Sequence, residues 1–262
     1  IYIKLTLLKV KKFLKKYNET LEMMELELIL VTNRPAIKSW LDTIKRALEN
    51  IRECMFNIKL HTTQELNTEV RDDFRKADII ILDTMSDVPE ILADLIDSSG
   101  ARVVVSVTPG TAKAFSFIKL GEFTGERLAK RVEDAFKKGE VGADMSKMFK
   151  MTDFIEKIGA LFPIGSLKHY KNWILITKYW AYWGEQNLEN MFRLILSEYF
   201  GIRLKYDKPK RVGEFSFWDH KIGFYEWPDL RRPTAVIFMY PGMHFDQNAP
   251  IAVKLKEYLE NR

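Results

Sequence analysis

The chain has 262 residues, 47% of them apolar and 29% charged, with a formal net charge of +5. That is the make-up of a folded globular protein and excludes a disordered one. Acidic and basic residues interleave along most of the length, which argues against a nucleic-acid footprint, and the single cysteine, Cys54, excludes an internal disulfide and fits a reducing, cytoplasmic setting.

The first segment, residues 1–24, begins IYIKLTLLKVKKFLKKY and has a basic amphipathic pattern. It is either a helix packed on the body or one lying on a membrane surface. It is not a secretory signal, because its apolar part is short and no small-residue cleavage site follows. No run approaches the roughly 20 apolar residues that a bilayer span needs. The chain does not begin with Met, and it stops at Asn261-Arg262 just after an expected helix. Both ends read as cut, so a fragment of a larger protein is expected. Few Gln beside abundant Lys, Glu and Ile is a thermophile-type bias.

Residues 25–120 form the first expected domain. Four β-rich runs, at 26–31, 55–62, 77–84 and 101–108, alternate with helical stretches near Ala36–Ile51, Glu65–Arg75 and Val88–Ile96. The runs lack polar alternation, as expected of parallel strands covered on both faces by helices. This is the pattern of an open α/β sheet. Gly100 is expected to end the third helix.

From residue 121 to 205 the pattern turns helical, with helices expected at Thr124–Lys138, Asp144–Leu161, Ser166–Trp183 and Glu185–Phe200. Residues 206–262 hold EFSFWDHKIGFYEW, expected as a two-stranded ribbon or an extended arm. A strand at Thr234–Tyr240 and a helix at Asn248–Leu259 follow, as the first βα unit of another α/β domain.

Ligands of open parallel sheets sit outside the carboxyl ends of the strands. Asp83, Thr108 and Lys119 there resemble a phospho-accepting receiver, but Arg34 stands where Mg²⁺-holding carboxylates belong, so Asp83 reads as a cap or turn former. Neither a G-x-x-x-x-G-K-[ST] loop nor a G-x-G-x-x-G after a strand occurs. Thr108-Pro109-Gly110-Thr111 is either an anion-binding turn or a plain strand-to-helix turn. His61, His169, His220 and His244 have no metal-ligand spacing, and His244, after a strand-end Pro-Gly, is the best placed to meet a ligand.

The aromatic segment WILITKYWAYW, Trp173–Trp183, is apolar on every side of a helix. Trp173, Ile176, Trp180 and Trp183 make one stripe, with Tyr179 and Tyr182 toward another. Such a face either packs as core or walls a pocket for a flat conjugated ligand. Asn187 and Asn190 could brace the turn at Gly184.

These residues carry a family resemblance. Residues 151–201, with YW–W-G–xx-N-L-x-N and a helix ending EYFG, resemble the N-terminal region of the large subunit of ATP-dependent tetrapyrrole metal chelatases, the cobaltochelatase and magnesium chelatase type. The likeness extends upstream to the strand before Lys119-Leu120-Gly121-x-Phe123, and downstream through Phe224-Tyr225 and Arg232–Ile237 to the helix ending at Leu259. It covers roughly residues 75–262, whereas residues 1–24 and the YPGMHFD segment depart from it.

The resemblance implies a flavodoxin-like parallel open sheet with a helical subdomain and the start of a second α/β unit. It implies a parent protein that binds a corrin or porphyrin and inserts divalent cobalt or magnesium. ATP-Mg would be used by partner AAA+ subunits. Tyr179, Trp180, Trp183 and His244 are then the candidates for tetrapyrrole contact, and Gly184, Asn187 and Asn190 form a structural motif. No catalytic residue, protein-bound metal or cofactor is expected in this fragment itself. The alternative is a stand-alone α/β module sensing a small anionic ligand at the strand ends. A third reading is a scaffold that uses the basic ribbon Arg203–Arg211, which is otherwise a solvated edge.

Overall fold

The computed structural model describes residues 23–33, 38–84, 88–108, 112–137, 165–210, 217–219, 223–225 and 243–260. Its centre is a six-stranded sheet with the order β2-β1-β3-β4-β5-β6. Strands β1 (Met24–Thr32), β2 (Cys54–Thr62), β3 (Ile79–Asp83) and β4 (Val103–Ser106) are parallel. They are the four β-rich runs of the sequence. The order 2-1-3-4 is that of a flavodoxin-like sheet. The far edge is an antiparallel hairpin, β5 (Lys119–Leu120) and β6 (Phe123–Thr124), preceded by a short helix, α4 (Ala112–Ser116). None of these three was expected, because strands of two residues are too short to show any alternation.

Strand residues alternate between two cores. Leu28, Leu30, Ile79, Ile81, Val103 and Val105 face one side with helices α1 (Lys38–Glu49), α5 (Glu126–Lys137), α6 (Ser166–Tyr182) and α7 (Glu185–Tyr199). Ile29, Val31, Ile80, Leu82 and Val104 face the other with α2 (Arg71–Lys76) and α3 (Glu90–Asp97). Period-2 alternation of apolar residues toward two covered faces explains why these runs showed no polar positions.

Two boundaries differ from the expectation for local reasons. The helix expected from Glu65 starts as a 3₁₀ turn at Thr68, because the Asn67 side chain accepts from the Glu69 N–H at 2.8 Å and fixes the start there. Helix α3 ends at Asp97, and Gly100 does not end it through a left-handed conformation. Instead the hydroxyls of Ser98 and Ser99 donate to the carbonyls of Leu95 and Ile96 at 2.9 and 2.7 Å. The expected ribbon is present as antiparallel β7 (Phe217–Asp219) and β8 (Gly223–Tyr225). The last helix, α8 (Met243–Glu260), starts earlier than expected and contains Pro250. The expected helix Asp144–Leu161 and strand Thr234–Tyr240 lie outside the described residues. No helix among the described residues is long and apolar enough to cross a membrane.

The β5–β6 edge depends on one close approach. A Cβ at Gly125 would lie 1.7 Å from the Phe115 carbonyl oxygen, and the Gly125 N–H donates to Ile118 O at 2.9 Å. Gly125→Ala must separate α4 from α5. A loss of about 3 kcal/mol or more, a fall of the thermal midpoint on the order of 10 °C, is expected by calorimetry. An unchanged midpoint would contradict this packing.

Candidate functional site

The carboxyl ends of β1 and β3 diverge at the switch point of the sheet, since the chain leaves β1 for α1 on one face and β3 for α3 on the other. A cleft opens there, lined by Leu30, Thr32, Trp40, Ile81, Asp83 and Trp180 among others. Its free volume of about 10 Å³ is at the limit of what one water requires. Its walls are almost wholly apolar.

Asp83 is buried and accepts from the Thr108 hydroxyl, which ties the end of β3 to the segment after β4. Lys119 does not join them. Its ammonium donates to Ala101 O at 3.3 Å, before the start of β4 and so at the opposite end of that strand. The receiver-like trio of the sequence is therefore not assembled. Two buried hydroxyls nearby, Thr84 Oγ1 and Ser106 Oγ, have no hydrogen-bond partner among the described residues. Residues 109–111 of the Thr-Pro-Gly-Thr turn and Arg34 lie outside the described residues.

The histidines remain apart. His61 is 3.3 Å from Asp73 at the end of β2, and His169 Nδ1 is 3.2 Å from the Tyr199 hydroxyl. His169 is held below its ordinary range by burial first and by the Lys168 charge second. His244 occupies the first turn of α8, its side chain outside the described residues, as is all of His220. No group of three or more His, Cys, Asp or Glu among the described residues is arranged to hold a metal.

The aromatic helix, α6, is enclosed. Tyr179, Trp180 and Trp183 are 1%, 2% and 3% exposed. Trp183 packs on Trp40 of α1 at 5.4 Å between ring centroids, and edge-on against Trp180 at 5.0 Å. Trp173 donates its indole N–H to Ser106 O at 3.1 Å and meets Phe115 edge-on. Trp180 Nε1, beside the cleft, has no acceptor among the described residues. In this conformation the rings serve as core, and a flat macrocycle reaches Trp180 or Trp183 only if α6 parts from α1.

The motif after the aromatic helix has a definite structural task. Trp183 (φ 53°) and Gly184 (φ 86°, ψ 154°) both take positive φ, which breaks the helix and starts α7. The Gly184 conformation is one that essentially only glycine adopts. Residues 201–210 then return along α7 as a strap without regular secondary structure. Asn187 donates to Trp183 O at 2.8 Å and to Lys210 O at 2.9 Å, and accepts from Lys210 N–H at 2.9 Å. Asn190 accepts from Asp207 N–H at 2.8 Å. Ser197 accepts from Leu204 N–H and donates to Leu204 O, both at 2.9 Å, and the Tyr179 hydroxyl donates to Asp207 O. Sequence analysis found Gly184, Asn187 and Asn190 but not the strap. An i, i+3 amide pair with Ser197 seven residues later was the available signal.

No protein-family model matches the chain. Over 151 residues, 54% of its length, the chain is 23% identical to the H component of the magnesium chelatase of Chlorobaculum parvum, and it spans 12% of that protein. The solved catalytic subunit of cobaltochelatase from Mycobacterium tuberculosis is similar over 90% of this chain and 15% of its own, at a TM-score of 0.42 and 15% identity. The chain is thus similar in sequence to part of a chelatase large subunit, in agreement with the likeness of its aromatic and Asn-containing motif.

Two outcomes follow from the strap. Asn187→Ala breaks three hydrogen bonds and is expected to cost about 2–3 kcal/mol. The Lys210 amide should become fast in hydrogen exchange while the Leu204 amide, held by Ser197, stays slow; equal rates before and after would remove the amide rung. Glu198 anchors the strap from the other side, 2.6 Å from Lys168 and accepting from the Tyr206 hydroxyl at 3.2 Å. Burial pushes its carboxyl up, but Lys168 and the Tyr206 and Asn172 side chains outweigh it and hold the group below its ordinary range. The folded value is below the unfolded one, so Glu198 stabilises above the unfolded pKa, and that stability is lost as pH falls through the folded one. Urea midpoints between pH 7 and pH 3 should therefore fall less steeply for Glu198→Gln than for the native chain.

Proposed function

We propose that this chain is the head region of the large subunit of a cytoplasmic tetrapyrrole metal chelatase. The parent protein would bind a corrin or porphyrin and insert divalent cobalt or magnesium, with ATP hydrolysed by AAA+ partner subunits. The observation that carries this reading is the match over 151 residues to the H component of a magnesium chelatase. The motif Trp-Gly-x-x-Asn-Leu-x-Asn, which builds the strap, supports it.

The part assigned to this chain is cover and scaffold. What its described residues offer is a layered unit whose aromatic rings turn inward and whose strand-end cleft has room for about one water. Metal insertion requires groups that bind the ion and remove the pyrrole protons, and these are assigned to the rest of the parent. Tyr179, Trp180, Trp183 and His244 stay as proposed ring contacts; Trp180 and Trp183 require α6 to open from α1, and Tyr179 requires the strap to lift.

The test is metal insertion by the polypeptide that carries this chain, assayed by absorbance with a corrin and with a porphyrin, with cobalt or magnesium, ATP and the AAA+ subunits. Insertion that needs both ATP and those subunits is the expected result. Failure with every metal and ring pair would overturn the reading. Tryptophan emission of the chain itself, titrated with each ring and with Trp180→Leu as control, separates direct contact from cover. Saturable quenching that weakens in the variant means contact.

A further inference from the structure

Among the described residues, strand β2 is an edge of the six-stranded sheet and pairs only with β1. The ladder shows which of its backbone groups are used. Thr63 N–H donates to Thr32 O at 2.9 Å, so the odd-numbered residues of β2 turn toward β1 and the even-numbered ones turn outward. Thr62, an even residue, fits this alternation. Its N–H donates to the Glu65 carboxylate at 2.8 Å and its carbonyl accepts from Glu65 N–H at 3.0 Å, both outside the ladder. The outward groups of Phe56, Ile58 and Leu60 bond to nothing among the described residues. Little guards this edge against pairing. Strand β2 runs nine residues in unbroken one-to-one register with β1, without a bulge or a proline. Its one lysine, Lys59, is drawn to 2.5 Å from Asp73 of α2. Met55, beside the edge, is 45% exposed. The opposite edge, β6, is two residues long and offers no comparable surface.

We infer that the outer edge of β2 pairs antiparallel with the same edge of a second copy of this chain, about a two-fold axis at Ile58. The edge complements itself in that register. Ile58 faces Ile58 of the copy and Phe56 faces Leu60, and each such pair exchanges two main-chain hydrogen bonds. The side chains of Phe56, Ile58 and Leu60 are half-buried against the core on one face of the sheet, so their counterparts extend that apolar ridge. On the other face Asn57 meets Lys59 of the copy, and Met55 meets His61. No like charges stand opposite each other. Asn57 donates to Glu27 at 3.1 Å, which puts a carboxylate beside the incoming Lys59. Strand β2 is already ordered on β1, so pairing fixes little further chain. A foreign strand would have to match this pattern, whereas the copy carries it by symmetry. The inference does not rest on the chelatase reading, since it uses only β2 and its neighbours.

Sedimentation of this chain over a concentration series tests it, and a reversible dimer is the expected result. Asn57→Lys sets a lysine opposite Lys59 twice, by symmetry. It should weaken the dimer about fivefold or more and leave the thermal midpoint within about 2 °C, because position 57 is exposed. Single cysteines report the register. The Cα atoms of residue 58 and its counterpart lie about 5.5 Å apart in such a pair, within disulfide reach. Those of residue 57 and its counterpart lie about 8 Å apart, beyond it. Ile58→Cys should therefore give a disulfide-linked dimer on mild oxidation, and Asn57→Cys should not. A chain that stays monomeric at every concentration would overturn the inference and leave the edge to a strand of another protein. A dimer untouched by Asn57→Lys, or one in which Asn57→Cys closes and Ile58→Cys does not, would overturn it as well, by placing the contact or the axis elsewhere.

Discussion

The rings and aliphatic side chains of Trp173–Trp183 must be covered, and α6 imposes that requirement on the elements around it. In this stretch only Ala181 is exposed, and Thr177, Lys178 and Tyr182 are half-buried. The sheet covers one side, where the Trp173 indole N–H reaches the last carbonyl of β4. Helix α1 covers a second, through Trp40 against Trp183. Helix α7 and the strap cover a third, with Tyr179 reaching over to Asp207. Burial raises the Tyr179 and Tyr199 hydroxyls far above their ordinary range, which keeps both neutral; Tyr179 donates to Asp207 O, and Tyr199 accepts from the Asn172 amide at 3.2 Å. Polar bonds at the rim fix the helix pair against α1, with Glu185 accepting from Arg46 at 3.3 Å and from Asn50 at 3.1 Å. These rim contacts are exposed and add little energy; the buried rings carry the packing.

The strap shows why asparagine occupies its two positions. An amide has a donor and an acceptor side by side, as a peptide group does, so Asn187 bonds both groups of Lys210 as a neighbouring strand would. Aspartate would offer acceptors only. Asn187, Asn190 and Ser197 fall within a sector of roughly 80° at 100° per residue, which aligns them along one line of α7. The same amide reaches back to the carbonyl of Trp183, the residue in left-handed backbone. One side chain therefore secures both the helix break and the returning chain.

The parallel strands were legible in the sequence because burial on both faces leaves continuous Val, Ile and Leu runs, and β1, β3 and β4 are such runs. The aromatic helix was legible in position, but composition alone left core and pocket wall open; only enclosure by α1 and the strap decides how the rings are used in this conformation. The β5–β6 hairpin was not legible, because its strands are two residues long and are set by tertiary contacts at Gly125. Asp83, Thr108 and Lys119 illustrate a different limit. Their spacing imitates a receiver, yet the antiparallel turn of β5 carries Lys119 to the wrong end of β4. Spacing in sequence does not encode strand direction, so no count of residues would have shown it.

The strand-end cleft and the aromatic core bear on one another. Trp40 and Trp180 wall the cleft and also belong to the tryptophan cluster that joins α1 to α6. Any molecule larger than water that entered there would have to push these rings apart. It would break close-packed contacts that individually contribute a fraction of a kcal/mol and are large only together. The indole N–H of Trp180, without an acceptor among the described residues, pulls the other way, since a buried donor left unpaired costs about 1–3 kcal/mol. An acceptor arriving at that N–H would recover the cost and so offset part of what is lost when Trp40 and Trp180 move apart. An apolar group of the same size would bring no such offset.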